Sequence, residues 1–174
     1  MNISVLTIGT VLIIVISWFI SIRDRRYHGI SRFFSFESVF ILALLNLRIW
    51  FVNPFSILQI ISWILLTLSA YTVIAGYLLL SRKGNPDGNP ENTSILVKSG
   101  IYKYVRHPLY LSLFLLGTGV MLKNPEKVQI ALGIVNLIAL WITARIEENE
   151  MIAKFGDEYR EYMKDSKMFI PFLV

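Results

Sequence analysis

A chain of 174 residues with 55% hydrophobic and only 17% charged side chains is more apolar than a soluble domain of that size, which points to an integral membrane protein. Zero cysteines exclude disulfides, thiolate metal sites and thiol catalysis. The net charge of +5 sits on residues that flank apolar runs, with no basic groove interleaved with aromatics, so no nucleic-acid role is expected.

Residues 1–22 carry no charged side chain and form the first predicted span. With no positive residue before it and no small-residue cleavage pattern after it, this run reads as a retained helix rather than a removable signal peptide. Residues 33–52 supply a second span, which contains Glu37 and, near its outer end, Arg48, placed where it can snorkel. The charge-free run 49–81, broken at Asn53-Pro54, supplies a third. Residues 109–122 are a short fourth segment that also suits a tilted or re-entrant element braced by its neighbours. Asn124-Pro125 then makes a tight turn into a fifth span at 128–144, completing a helical hairpin.

The expected fold is a single all-α, polytopic membrane domain of about five transmembrane helices plus a cytosolic amphipathic C-terminal helix. Residues 1–80 hold the first three spans and 81–174 hold the part that carries the chemistry. Of the 17 Lys and Arg, fourteen follow spans one, three and five, among them Arg23, Arg25, Arg26, Arg82, Lys83, Arg145 and Lys154. Only Lys123 and Lys127 lie between spans four and five. The positive-inside rule therefore places the two major loops and the C-terminus in the cytoplasm, and the N-terminus and Asn124 outside.

The loop 83–90 is rich in Gly, Asn and Pro, which suits an ordinary connection or a flap over a cytosolic pocket. Gly117-Thr118-Gly119 lies within an apolar helix, without the preceding strand and downstream acid of a dinucleotide-binding unit. His28 and His107 fall in different loops and at no metal-ligand spacing, so no metal site is expected.

Two stretches carry chemistry. Residues 100–110 form a polar, aromatic cluster between apolar runs. In it Pro108 suits a first helical position, His107 can precede it as a cap or act as a titrating group, and Arg106 can snorkel to lipid phosphate or serve the site. Residues 147–162 form an amphipathic helix in which Glu148 shares a face with Ile152, Phe155 and Tyr159, while Glu147 aligns with Met151, Lys154 and Glu158. The carboxylate pair reads as favourable charge in a first helical turn, or as a contact for a cationic or polyhydroxylated ligand. Gly156 bends or ends that helix.

Together the two stretches resemble the isoprenylcysteine carboxyl methyltransferase and phospholipid methyltransferase group of membrane enzymes. The group's pattern appears as Leu96, Val97, Gly100, Tyr102, Arg106, His107, Pro108 and Tyr110, then Glu147, Glu148, Met151, Phe155, Gly156, Tyr159 and Tyr162, with Ile170-Pro171 near the end. The match covers roughly the last 80 residues in order and spacing.

The resemblance implies methyl transfer from S-adenosylmethionine to a lipophilic small molecule or lipid acceptor, by a cytosol-facing site in contact with membrane lipids. Carried over residue by residue, it implies that Ser94, Ile95, Leu96, Val97, Tyr102, His107, Pro108, Leu109, Tyr110 and Glu147 bind the cofactor. Arg145 and Glu148 are candidates for the acceptor side, and His107 and Arg106 for catalysis. Phospholipid N-methylation is an alternative within enzymes, and a non-catalytic scaffold or transporter an alternative outside them.

Departures from the group's pattern bear on the acceptor. Thr143 stands where an Arg associated with prenylcysteine is usual, Ser94 replaces a His, and Lys167 a Pro. Arg145 lies about 200° around the helix from position 143. These departures predict poor turnover of prenylcysteine analogues, improved by Thr143→Arg if the new side chain reaches the cavity.

Overall fold

The computed structural model describes residues 3–19, 28–86 and 93–169. Met1, Arg23, Arg25, Arg26, residues 87–90 and Ile170-Pro171, which enter the sequence reading, lie outside the described residues. Within them the secondary structure is helical: α1 (Ile3–Ser17), α2 (His28–Asn46), α3 (Ile57–Lys83), α4 (Pro108–Met121), α5 (Lys127–Phe155) and α6 (Asp157–Asp165), with one 3₁₀ turn at Gly100–Lys103. Two isolated β-bridges, Pro86 with Thr93 and Val105 with Lys167, are the only extended pairings among the described residues.

Helices α2, α3 and α5 are long and apolar enough to cross a membrane, while α1 and α4 are shorter apolar helices. At 1.5 Å per residue α3 and α5 reach about 40 Å and α4 only about 21 Å, against a hydrocarbon core of about 30 Å. The polarity is that of a helical membrane protein. Ile3, Phe55, Ile57, Tyr71 and Val128 face outward, whereas Ser35, Ser38, Asn46, Ser62 and Asn136 are buried.

The chain divides into two compact units, one formed by Met1–Ser69 and Leu113–Thr143, the other by Ala70–Ser112 and Ala144–Val174. In the first unit, polar side chains join the helices. Thr10 donates to Glu37 Oε1 at 2.7 Å, tying α1 to α2 through the acid that interrupts the second predicted span. Ser35 donates to Asn136 Oδ1 at 2.6 Å, and Asn136 Nδ2 donates to the Leu113 carbonyl at 3.2 Å, joining α2, α5 and α4.

The short α4 is braced in the same manner. The carbonyls at and beyond its end accept hydrogen bonds from neighbouring helices: Gly119 from Ser62 (2.7 Å), Val120 from Asn46 (2.8 Å) and Lys123 from Gln59 (2.9 Å). Lys123, counted from sequence as a cation flanking the fourth segment, is 5% exposed. Its Nζ donates to Gln59 Oε1 at 3.0 Å and lies 3.6 Å over the Trp63 ring.

Two sequence expectations are corrected here. Arg48 is not inside a span, because α2 ends at Asn46 and leaves Arg48 exposed in the following turn. Glu147 and Glu148 do not start a helix, because span five and the amphipathic stretch are one uninterrupted helix, α5, that begins at Lys127. No Pro or Gly between Ala144 and Phe155 stops it. Gly156 does, with φ +58°, and α6 begins directly after it.

Candidate functional site

The second unit contains a partly open cavity of about 600 Å³, a volume that includes the solvent space at its mouth. Leu80 at the end of α3, with Thr93, Leu96 and Val97 from the following loop, forms one part of its wall. Tyr102 and residues 106–110 form the next, and Glu147, Met151, Tyr159 and Tyr162 come from α5 and α6.

Local backbone chemistry sets the central segment. Gly100 opens the 3₁₀ turn at φ +61°, and a Cβ there would meet the Leu79 side chain. Pro108 is the first residue of α4, where its missing N–H has no helical partner to lose. The His107 carbonyl accepts from Leu111 N–H at 2.9 Å, so His107 holds the cap position expected of it. Its ring serves the cavity as well.

That ring is 5% exposed and bracketed by the carboxylate pair: Nδ1 lies 3.6 Å from Glu147 Oε2, and Nε2 3.7 Å from Glu148 Oε1. It stacks on Tyr110 with ring centroids 5.4 Å apart and 13° between planes, and meets Phe169 at 6.2 Å. Burial disfavours the imidazolium, but the two carboxylates outweigh it and hold the His107 pKa above its ordinary value. The two glutamates differ in access. The Glu147 side chain is 20% exposed and lines the cavity, whereas that of Glu148 is 3% exposed and turned toward Arg106.

The phenols of α6 are held neutral. Burial, reinforced by Glu147 and Glu148, drives the Tyr159 hydroxyl far above the usual phenol range, and burial pushes Tyr162 up to about 12. Tyr162 donates to the Tyr102 carbonyl at 2.5 Å, and its ring meets Tyr159 edge-on at 5.8 Å. These contacts fasten α6 to the 3₁₀ turn.

Of the residues singled out in the sequence, Leu96, Val97, Tyr102, Arg106, His107, Pro108, Leu109, Tyr110 and Glu147 line the cavity. Ser94 and Ile95 do not. The Ser94 hydroxyl donates to the Asn85 carbonyl at 2.9 Å and accepts from Asn85 Nδ2 at 3.0 Å, closing the base of the loop, while Ile95 points outward. Arg145 is 56% exposed and approaches Glu148 Oε2 at 3.7 Å without lining the cavity. Thr143 is fully buried, its hydroxyl donating to the Ala139 carbonyl at 2.7 Å and lying 2.8 Å from Ser31 Oγ, and it too lines no part of the cavity.

Leu80, Thr93, Met151, Tyr159 and Tyr162 join the wall without having been assigned to it. For Tyr159 a signal existed, since it shares the helical face of Glu148. For Leu80 and Thr93 none did. No cluster of three or more metal-ligating side chains occurs among the described residues.

A family model described as phospholipid methyltransferase matches residues 57–158, well over half of the chain. The chain is 35% identical over 89 residues to protein-S-isoprenylcysteine O-methyltransferase of Saccharomyces cerevisiae, covering 48% of this chain and 35% of that protein. It is 39% identical over 88 residues to the protein of the same name from Homo sapiens, covering 47% and 29%. With methanethiol S-methyltransferase 1 of Bradyrhizobium diazoefficiens it shares 34% identity over 71 residues, covering 41% and 24%. The match spans between about a quarter and a third of the length of these curated relatives. No solved structure matches the chain.

Proposed function

The chain belongs to the phospholipid methyltransferase family, and from that premise we propose that it transfers a methyl group from S-adenosylmethionine to a lipophilic acceptor at the cytosolic face of a membrane. The observation that carries this reading is the convergence on one cavity of two stretches far apart in sequence, 96–110 and 147–162. The chemistry of the wall fits the cofactor. Glu147 offers a partly exposed carboxylate to an ammonium or a ribose hydroxyl, and the wall includes the aromatic side chains of Tyr102 and Tyr110, the residue type that packs well against adenine.

When bound, the cofactor supplies an electrophilic methyl group on a sulfonium. The chain's own contribution is to hold and align the reactants in a water-poor space, which can lower a displacement barrier by several kcal/mol, up to about 7–11 in the best-oriented cases. Leu80, Leu96, Val97 and Met151 keep water out, and the His107–Tyr110 stack fixes the floor. Where an acceptor must lose a proton, Glu147 is the group placed to take it. The His107 ring lies behind that carboxylate, with Nδ1 3.6 Å from Glu147 Oε2 and Nε2 3.7 Å from Glu148 Oε1.

The wall's cations among the described residues are Arg106 and His107, and both face glutamates. Phospholipid N-methylation is the second reading, on the family whose model the chain matches.

Calorimetric titration of the detergent-solubilised protein with S-adenosylmethionine and S-adenosylhomocysteine tests the proposal. Saturable binding of both is expected. Neither heat nor a thermal shift at concentrations on the order of 1 mM, far above an ordinary cofactor affinity, would overturn it.

A further inference from the structure

Arg106 is held by three parts of the chain at once. Its Nε donates to Glu148 Oε1 on α5 at 2.8 Å, and Nη2 approaches the same oxygen at 2.7 Å. Its Nη1 donates to the Met163 carbonyl on α6 at 3.3 Å and to the Ser166 carbonyl just beyond. The backbone on either side is tied to the same C-terminal strap. Arg106 N–H donates to the Lys167 carbonyl (2.8 Å), His107 N–H to the Met168 carbonyl (3.2 Å), and Lys167 N–H to the Tyr104 carbonyl (3.0 Å). With its side chain 8% exposed and the guanidinium fork so engaged, Arg106 has little left to offer a ligand.

What it holds matters more. Glu148 Oε1, gripped by Arg106, is the oxygen that faces His107 Nε2, while Glu147 Oε2 faces Nδ1. Around this row, Tyr110 stacks on the ring from α4, Phe169 meets it from the strap, Arg145 reaches the far oxygen of Glu148, and Tyr159 of α6 lies within the field of Glu147, Glu148 and Arg106.

We propose that Arg106 is a positioning residue: by fixing Glu148 and the strap of residues 163–169, it sets His107 between the two carboxylates and so aims Glu147 into the cavity. The importance of that aim rests on the cavity being the methyl-donor site. The test needs no ligand.

The titration of His107 can be followed by ring-nitrogen NMR of the ligand-free protein in detergent, its signals identified by their loss in His107→Gln. Glu148→Gln removes one bracketing carboxylate and should lower the midpoint by about one pH unit. Arg106→Gln should lower it similarly, because Glu148 is released. Merely deleting a neighbouring cation would raise it. The double variant should fall no further than Glu148→Gln alone, since the two residues act as one interaction.

Arg106→Lys keeps the charge but not the planar fork, so it reads geometry alone, and a smaller fall is expected. A rise in Arg106→Gln overturns the proposal. If that variant does not fold, Arg106→Lys decides: an unchanged or raised midpoint overturns the proposal. Wild-type titration with S-adenosylhomocysteine is run in parallel. Absence of binding there would defeat the functional reading while leaving the His107 shifts to judge Arg106.

Discussion

Glu147 and Glu148 are neighbours on one helix, yet they have different surroundings because successive helical positions point about 100° apart. Glu147 opens onto the cavity, while Glu148 is sealed beside Arg106. The expected consequence is a split of phenotypes. Glu147→Gln should weaken S-adenosylhomocysteine binding by about 1–3 kcal/mol, the scale of a charged hydrogen bond, with little change in thermal stability. Glu148→Gln should instead lower stability by about 3 kcal/mol, since it breaks a buried ion pair. Calorimetry and thermal unfolding on the two variants separate these outcomes, and equal small losses in both would contradict the division. His107 adds a pH dependence. Its pKa is raised above the ordinary 6.5, so the imidazolium's contribution to stability is complete below that value and is lost as pH rises through the higher folded-state pKa. Melting temperature should therefore decline from mildly acidic to mildly alkaline buffer, and His107→Gln should flatten that slope.

At the scale of elements, α4 is the instructive one. A helix of about 21 Å ends short of a 30 Å hydrocarbon core, and each carbonyl left without a partner in such surroundings costs several kcal/mol. The side chains of Ser62, Asn46 and Gln59 remove that cost, and Lys123 closes the end against Gln59 and Trp63. Gln59→Leu, which keeps the volume and loses both amide bonds, should lower stability by about 1–3 kcal/mol, more than Thr67→Val on the exposed face of the same helix. Denaturation of the two variants in matched detergent checks the ranking. The need for bracing was legible, because a run of 14 apolar residues is too short to span unaided. The braces were not, because Ser62, Asn46 and Gln59 are single polar residues in apolar helices, and only folding reveals which carbonyl each one meets. The continuity of α5 was hidden for a related reason. The change from apolar to charged at residues 145–150 marks a change of surroundings, not an end of helix, and a helix passes through it unbroken. The cavity was legible where its residues are adjacent, at 106–110 and at Glu147. It was illegible at Leu80 and Thr93, whose part in the wall depends on the path of a loop.

Among the described residues many large apolar side chains of the helices face outward while Ser35, Asn46, Ser62 and Asn136 are buried, the arrangement expected where the surrounding solvent is lipid. The chain's remaining asymmetry is electrostatic. Fourteen of its 17 cationic residues follow the first, third and fifth apolar segments, and Lys123, one of the two beyond the fourth, is spent inside the fold. In the proposed orientation the opposite side would carry Lys127 and Arg48, the latter exposed in the turn after α2, so the bias stays strongly toward the cytoplasmic side. If helices α1 to α5 each cross or enter the bilayer in turn, the loop bearing Ser94 and the turn bearing Glu126 lie on opposite sides, with Ser94 in the cytoplasm. Both residues are exposed, and the chain has no cysteine to interfere. Ser94→Cys and Glu126→Cys can therefore be labelled in intact cells with a membrane-impermeant thiol reagent, and again after permeabilisation. Glu126→Cys should react in both conditions and Ser94→Cys only after permeabilisation. The reverse pattern would put the cavity on the other face, where a cytosolic supply of S-adenosylmethionine could not reach it, and would count against the proposed reaction as well as the orientation.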